Sequence, residues 1–211
     1  LSKVLDSLVV CTDSHIICDI CINNQIDVVL TKNKHKNGTE RISEAADILN
    51  LDKDSLIIDI QGDEPLVKPY MIDNVANYLS KHKHFDIIVP FIEIFGEETH
   101  SRVKLVASNN KVVYMSRRNL PFPYQKDTVF KKHLSIIAFR RDALSKFAKN
   151  KPTPLEEIEG IELLRAIEIG LNVGTYQEIG EIHSVDTQDD YERVQRLMIR
   201  DEIYIQMKND K

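Results

Sequence analysis

Residues Leu56–Pro69 read LIIDIQGDEPLVKP, and this stretch decides the fold. Its apolar run, Leu56–Ile60, ends abruptly in a polar turn that contains Asp63 and Glu64. The pattern predicts a buried strand with carboxylates at its C-terminal edge, which is where ligands bind in open α/β sheets. Carboxylate oxygens there suit Mg²⁺ held against a polyphosphate. The competing interpretation is a plain polar turn, since Asp, Glu, Gly and Pro are common turn residues.

The chain around this stretch alternates between strand and helix patterns. Strand patterns occur at Leu8–Cys11, Asp27–Thr31 and Asp86–Phe91. Helix patterns lie between them, at Ser14–Asn23, Thr39–Leu49 and Ile72–Leu79. Such alternation predicts an α/β fold with a mostly parallel sheet and helices on both faces.

The second half of the chain has a different character. Three strand-like segments follow one another with short connections, at Val103–Ala107, Val112–Met115 and His133–Phe139. They predict an antiparallel extension of the sheet. A capping pattern at Thr153–Glu156 then predicts a helix that runs to Gly170. A strand is expected at Val173–Glu178, and a second cap at Thr187 predicts a C-terminal helix.

Composition limits the classes of function. With 211 residues, of which 42% are hydrophobic and 29% charged, residues 1–211 are expected to form one domain with a sizeable core. The formal net charge of −5 argues against nucleic acid as a partner. Neither a membrane-spanning run nor a signal-peptide pattern is present in the sequence, so a cytoplasmic location without a membrane partner is expected.

The three cysteines are Cys11, Cys18 and Cys21. An odd number of thiols without a secretory leader indicates a reducing compartment. Cys18 and Cys21 form a CxxC pattern, but a zinc site requires four ligands and no second pair follows. Two buried thiols one helical turn apart are therefore favoured.

The segment Asn37–Arg41, NGTER, places a glycine, a hydroxyl and a guanidinium where a loop meets a predicted helix. Free backbone N–H groups and the helix dipole favour an anion or a polar base edge at such a junction. The alternative is structural, with Thr39 as an N-cap and Arg41 as a solvated charge.

Asp186, within Ser184–Thr187, follows a predicted strand and precedes a predicted helix. A lone aspartate there is usually a cap or a turn residue. If it converged with Asp63, the two carboxylates would form a clamp for one or two divalent cations.

Taken together, these segments resemble the cytidylyltransferases that activate 3-deoxy-manno-octulosonate (Kdo), known as CMP-Kdo synthetases. The resemblance covers almost the whole chain, and NGTER followed by QGDEP at this spacing is highly specific. The matching segments are VVCTD (Val9–Asp13), LTKNKHKNGTERISEA (Leu30–Ala45), IDIQGDEPLVKP (Ile58–Pro69), VKLV (Val103–Val106), YMSRRNLPFPY (Tyr114–Tyr124), HLSIIAFR (His133–Arg140), PLEEIEGIELLRAIEIG (Pro154–Gly170) and SVDTQDDYERV (Ser184–Val194).

The resemblance implies a nucleotide-diphospho-sugar transferase-like fold with an antiparallel dimerisation segment, and hence a homodimer. It also implies transfer of CMP from CTP to the anomeric hydroxyl of an acidic 2-keto sugar, with release of pyrophosphate, for lipopolysaccharide synthesis.

The resemblance further implies a set of site residues. Asp63 and Asp186 are expected to be the catalytic carboxylates, and to bind Mg²⁺ as the cofactor. The remaining residues fall into two groups, a nucleotide group of Gly38, Thr39, Arg41, Gln61 and Gly62, and a sugar group of Arg117, His133 and Glu162.

Three departures from the family pattern keep alternatives open. The family begins with a strand and a phosphate-binding loop of the form IPARxxSxRxxxKP, and this sequence starts at Leu1 after it, so a first strand and loop are expected to be missing. A catalytically silent dimeric remnant is the alternative that this motivates. Ser135 stands where glycine is usual and Leu163 where glutamine is common, which suggests either a modified sugar such as the 8-amino relative of Kdo or, more simply, a diverged Kdo enzyme. A CMP-activating enzyme of sialic-acid type, acting on another 2-keto acid, is the remaining alternative.

Overall fold

The computed structural model describes residues 1–95, 102–124, 128–180 and 182–209. The N-terminal part contains β1 (Val10–Thr12), α1 (His15–Asn23), β2 (Val28–Leu30), α2 (Gly38–Ile48), β3 (Leu56–Ile60) and α3 (Pro69–Lys81). It is followed by β4 (Ile87–Ile88), β5 (Phe91–Ile94), β6 (Lys104–Ser108), β7 (Lys111–Ser116), β8 (Phe130–His133) and β9 (Ile136–Arg140). The C-terminal part contains α4 (Arg141–Lys149), α5 (Pro154–Glu159), α6 (Leu163–Glu168), β10 (Val173–Gly174), α7 (Gln188–Met198) and α8 (Glu202–Asn209).

The described strands form two sheets. β1 and β2 pair in parallel as a separate two-stranded sheet. The other strands form an eight-stranded sheet in the order β3-β9-β4-β10-β7-β6-β8-β5. The α/β fold class predicted from the sequence is confirmed, and the antiparallel extension is present as β5, β8, β6 and β7.

Pairing within the large sheet is more antiparallel than the alternation of strands and helices predicts. β9 lies between β3 and β4 and runs antiparallel to both. Among the described strands of this sheet, β4 and β10 make the one parallel pair. Local sequence patterns indicate which segments are strands, but this order depends on β9 returning from far along the chain.

Two predicted strands are each divided by a bend. Asp86–Phe91 becomes β4 and β5, and His133–Phe139 becomes β8 and β9. The two bends lie together, because Leu134 N–H donates to the Pro90 carbonyl at 2.9 Å. Pro90 has no N–H for a continuous ladder, so its position coincides with the break in pairing.

The helix predicted from Thr153 to Gly170 is wrong in one respect, because it is interrupted. α5 ends at Gly160, which adopts a left-handed conformation with φ of 63°, and α6 begins at Leu163. Glycine takes this conformation without steric cost and commonly terminates helices. The N-terminal signal was correct, since Glu156 accepts a hydrogen bond from the Thr153 N–H at 3.2 Å.

The core lies on both faces of the large sheet. Neighbouring strand residues point to opposite faces, so Ile87 joins one apolar cluster and Ile88 the other. Helix α3 covers one face with three fully buried side chains, Met71, Val75 and Leu79. The other face is covered by α4 together with α2, which confirms helices on both sides.

Cys18 and Cys21 are buried, as predicted, and carry free thiols. Within the described ranges, every helix is too short or too polar to span a bilayer.

Candidate active site

A cleft of about 390 Å³ opens at the C-terminal end of β3. Seven of the ten predicted site residues line it, namely Gly38, Gln61, Asp63, Arg117, His133, Glu162 and Asp186. A second cavity of about 770 Å³ shares part of this lining, including Glu64, Ser135 and Asp186. The polar turn after β3 therefore forms part of a concave, polar site, which agrees with the ligand-binding interpretation of this turn.

The other three predicted residues do not line the cleft. Thr39 is fully buried behind it and interacts with Glu162. Gly62 has open space at the position where a side chain would begin. Arg41 points towards the ends of β1 and β2, where it donates to the Thr31 hydroxyl at 2.7 Å and pairs with Asp13 at 3.2 Å. The role of these three residues in nucleotide binding stays a prediction.

The two aspartates expected to form a clamp lie on neighbouring segments. The Val185 N–H donates to the Asp63 carbonyl at 2.9 Å, which places the segment before α7 beside the turn after β3. Both carboxylates line the same cleft. The two segments are far apart in sequence, and their approach is the convergence on which a cation clamp depends.

Unsatisfied carboxylates are concentrated here. Within the described part of the chain, the acids with a buried oxygen that has no hydrogen-bond partner are Asp63, Glu64 and Glu162, which line the cleft, and Asp59 of β3, which does not line it but interacts electrostatically with Asp63 and Glu162. Buried polar atoms are normally paired, so such a concentration indicates a place where a ligand or ion completes the contacts.

Burial also changes the protonation of these acids. It raises the pKa of Asp59 to about 7, with smaller contributions from the charges of Glu162 and Asp63. Burial likewise raises the pKa of Glu64 to about 7, and the charges of Asp63 and Asp186 act in the same direction. Removal from water disfavours the charged form, and nearby like charges add to the effect. The Lys132 charge and a hydrogen bond with Ser135 oppose the shift at Glu64 without cancelling it, so this part of the site is acidic and favours a bound cation.

The N-terminus of α2 forms one wall of the cleft, through Asn37 and Gly38. Asn37 is the N-cap, because its side chain accepts from the Glu40 N–H at 2.9 Å. The structural alternative that made Thr39 the cap is therefore wrong, because the helix begins at Gly38. The Glu40 carboxylate in turn accepts from the Lys36 N–H at 3.0 Å, so two reciprocal hydrogen bonds stabilise the start of the helix.

The opposite wall contains Arg117 and His133. The Arg117 Nε donates to the Glu159 carbonyl and its Nη2 to the Gly160 carbonyl, both at 3.1 Å. This fixes the guanidinium at the corner between α5 and α6.

The His133 Nδ1 lies 3.1 Å from the Leu134 carbonyl, which requires a proton on Nδ1 and leaves Nε2 as an acceptor. Burial lowers the pKa of His133 to about 4, and the charges of Lys132 and Arg117 act in the same direction. His133 is therefore neutral at pH 7.

Sequence reasoning did not assign several residues that line the cleft. Asn37 and Glu64 are neighbours of predicted residues, and both lay within motifs already singled out. Ser135 and Leu163, the two departures from the family pattern, also line it. The signal for Ser135 was its position two residues after His133 in the same segment.

The architecture and the cleft define a protein of the nucleotide-diphospho-sugar transferase class. The structure is similar to a solved structure of CMP:2-keto-3-deoxy-manno-octonic acid synthetase in complex with CTP, with a TM-score of 0.86 and 25% sequence identity. That similarity covers 94% of this chain and 83% of the other.

Comparison with known sequences identifies the family. The cytidylyltransferase family profile matches residues 1–206. A 3-deoxy-manno-octulosonate cytidylyltransferase of Nitratiruptor is 33% identical over 90% of this chain and 82% of its own length. The protein of the same name from Polynucleobacter asymbioticus is 36% identical over 91% of this chain and 79% of its own length. The chain therefore belongs to the cytidylyltransferase family, and within it to the 3-deoxy-manno-octulosonate cytidylyltransferases.

Proposed function

We propose that this protein transfers CMP from CTP to the anomeric hydroxyl of Kdo, an acidic 2-keto sugar, and releases pyrophosphate. The observation that carries the proposal is the approach of Asp63 and Asp186 within one cleft, between the start of α2 and the wall containing Arg117. Nucleotidyl transfer of this kind relies on positioning and on stabilisation of phosphate charge, which this arrangement supports.

The residues present fit a magnesium ion. Asp63 has a buried carboxylate oxygen without a partner, and Asp186 belongs to the adjoining segment. Mg²⁺ is commonly held by one or two carboxylates together with substrate phosphates, so these two aspartates are sufficient. The chemistry the ion supplies when bound is neutralisation of phosphate charge and easier deprotonation of a coordinated hydroxyl.

The side of the cleft at α2 suits the nucleotide. Asn37 and Gly38 present the start of an 11-residue helix, whose dipole favours negative charge. Gln61 follows β3 directly and lines the same wall, with an amide that can donate and accept hydrogen bonds. These groups bind and orient the nucleotide while the two aspartates hold the cation.

The other side suits an acidic sugar. Arg117 supplies a cation that two backbone carbonyls hold in place, and its positive charge favours the carboxylate of an acidic sugar. Neutral His133 offers Nε2 as an acceptor for a sugar hydroxyl. Glu162 is buried, which raises its pKa and favours its protonated, donating form.

Pyrophosphate release from CTP and Mg²⁺ tests the proposal, using the full-length protein with Kdo, 8-amino-Kdo or sialic acid offered separately. We expect release with Kdo and none when EDTA replaces Mg²⁺. Release only with 8-amino-Kdo would reassign the sugar and give Ser135 and Leu163 a role in selecting it. Absence of release with every sugar would overturn the proposal in favour of a silent remnant.

We also propose that the protein is a homodimer and is located in the cytoplasm. Exposed apolar side chains on and beside the antiparallel strands support an interface there, including Phe95, Val113 and Phe122, which are exposed by 70%, 49% and 80%. Light scattering coupled to size-exclusion chromatography tests the dimer. A monomer at micromolar concentration would contradict it.

A further inference from the structure

Arg165 is a fully buried cation on α6 that is held by groups from three other parts of the chain. Its Nε and Nη2 donate to the two carboxylate oxygens of Glu156 at 2.6 and 2.5 Å. Its Nη1 donates to a carboxylate oxygen of Glu40 at 2.8 Å and to the Asn150 carbonyl at 3.2 Å. The guanidinium lies 4.4 Å from the centre of the Phe147 ring. The charge is therefore fully paired and its position is fixed.

The two carboxylates belong to two elements that each contribute to the lining of the cleft and that also meet where Thr39 of α2 interacts with Glu162. Glu40 lies in the first turn of α2, two residues after Gly38, which lines the cleft together with Asn37. Glu156 lies in the first turn of α5, which ends at the corner 160–163 that lines the sugar side. The guanidinium thus adds a second connection between α2 and α5, behind the Thr39–Glu162 interaction and outside the lining of the cleft.

Arginine is required for this connection. Its fork binds both oxygens of one carboxylate and still has donors for a second, whereas a lysine ammonium is a single point charge. The pKa of Glu40 lies below its ordinary value although burial opposes this, because the Lys36 N–H and Arg165 stabilise the carboxylate. Glu40 and Arg165 are therefore both ionised at neutral pH.

We infer that Arg165 is a positioning residue that sets the distance between the start of α2 and the corner 160–163, and so makes nucleotide binding and sugar binding interdependent. The inference rests on the proposed function for the identity of the two ligands. Any movement of α2 on binding CTP is transmitted to the sugar wall through Glu40 and Arg165, because both groups are buried or half-buried and mutually paired.

The test removes Glu40 rather than Arg165, because losing a fully buried cation with two carboxylate partners would unfold the chain. The variant is Glu40→Ala. The matched control is Asp47→Ala, two turns further along the same helix, where Asp47 pairs with Arg141 at the start of α4. Each variant removes one carboxylate of α2 that pairs with an arginine, but only Glu40 is connected to the sugar wall.

Amide hydrogen exchange of the unliganded protein is the first measurement. We expect Glu40→Ala to accelerate exchange at the corner 160–163 by about tenfold, and Asp47→Ala to leave exchange there unchanged. Unchanged exchange at the corner in Glu40→Ala would overturn the inference. Equal acceleration in both variants would also overturn it, because it would show general destabilisation.

Steady-state kinetics is the second measurement. We expect Glu40→Ala to raise the KM for the sugar about tenfold with kcat changed by less than about threefold, while Asp47→Ala changes neither. Equal losses in the two variants would overturn the inference. If the unsubstituted protein released no pyrophosphate, the proposed function would fail, and the exchange measurement would still decide whether Arg165 couples the two walls.

Discussion

The acids in and beside the cleft and Glu44 on α2 are the same chemical group in opposite conditions. Asp59 and Glu64 are buried with unpartnered oxygens, and their pKa values are raised to about 7. Glu44 binds His35 and the Lys32 ammonium, and the hydrogen bond from His35 is the largest cause that lowers its pKa to about 2. Glu44 is thus satisfied by neighbouring side chains, whereas the acids in and beside the cleft keep buried oxygens without a protein partner, which is typical of functional sites.

The largest expected effect is on turnover. Asp63→Asn and Asp186→Asn each keep the shape of the side chain but remove the charge that holds a cation, so pyrophosphate release should fall about a hundredfold or more. Circular dichroism should show an unchanged fold. Asp52→Asn, on an exposed loop, is the control that should retain activity. Full activity in either site variant would remove that aspartate from the clamp.

The next effect is on stability and comes from Asp59. Its folded pKa of about 7 lies above the ordinary value of 3.8, so its stabilising contribution is complete below about pH 4 and is lost as pH rises to about 7. Asp59→Asn removes this dependence. We compare the free energy of unfolding of the variant with that of the parent by urea denaturation. The difference should favour the variant by about 2–4 kcal/mol more at pH 8 than at pH 4. Parallel pH curves for the two proteins would contradict the raised pKa.

The smallest effect is expected at Glu44. Its folded pKa lies below the ordinary value, so its contribution is present above about pH 4.5 and is lost as pH falls to about 2. Because solvent screens this pair, Glu44→Gln should cost only about 0.5–1 kcal/mol at pH 7. Urea denaturation at pH 7 and pH 3, with exposed Glu157→Gln as control, measures the difference. A cost at pH 3 as large as at pH 7 would contradict the ionic contribution.

Much of the fold follows from local patterns. The predicted strand Leu56–Ile60 has the bounds of β3, the predicted cap at Thr187 is the N-cap of α7, and α1 begins at His15, one residue after the predicted start. These features depend on side chains within one turn or one strand, which the sequence displays directly. The interruption at Gly160 was also visible as a glycine, but the strong cap at Thr153 and the apolar pattern beyond it favoured a continuous helix.

The site was predictable where its residues share a motif. Asp63 and Glu64 lie in one turn, and the wall at Asn37 and Gly38 lies in another. The pairing of Arg41 with Asp13 and Thr31 was not predictable, because it depends on how α2 packs against the two-stranded sheet. The burial that keeps His133 neutral depends on tertiary packing as well.

Alternation of apolar and polar residues, helix caps and two short motifs determined the elements, the α/β class and the family of this protein. Tertiary contacts determined the place of β9 between β3 and β4, the approach of Asp186 to Asp63 and the pairing of Arg165 with Glu40. The physical reason is the sequence distance over which each effect acts. Propensities and caps act over a few residues, whereas strand order, burial and pKa depend on groups brought together from distant parts of the chain.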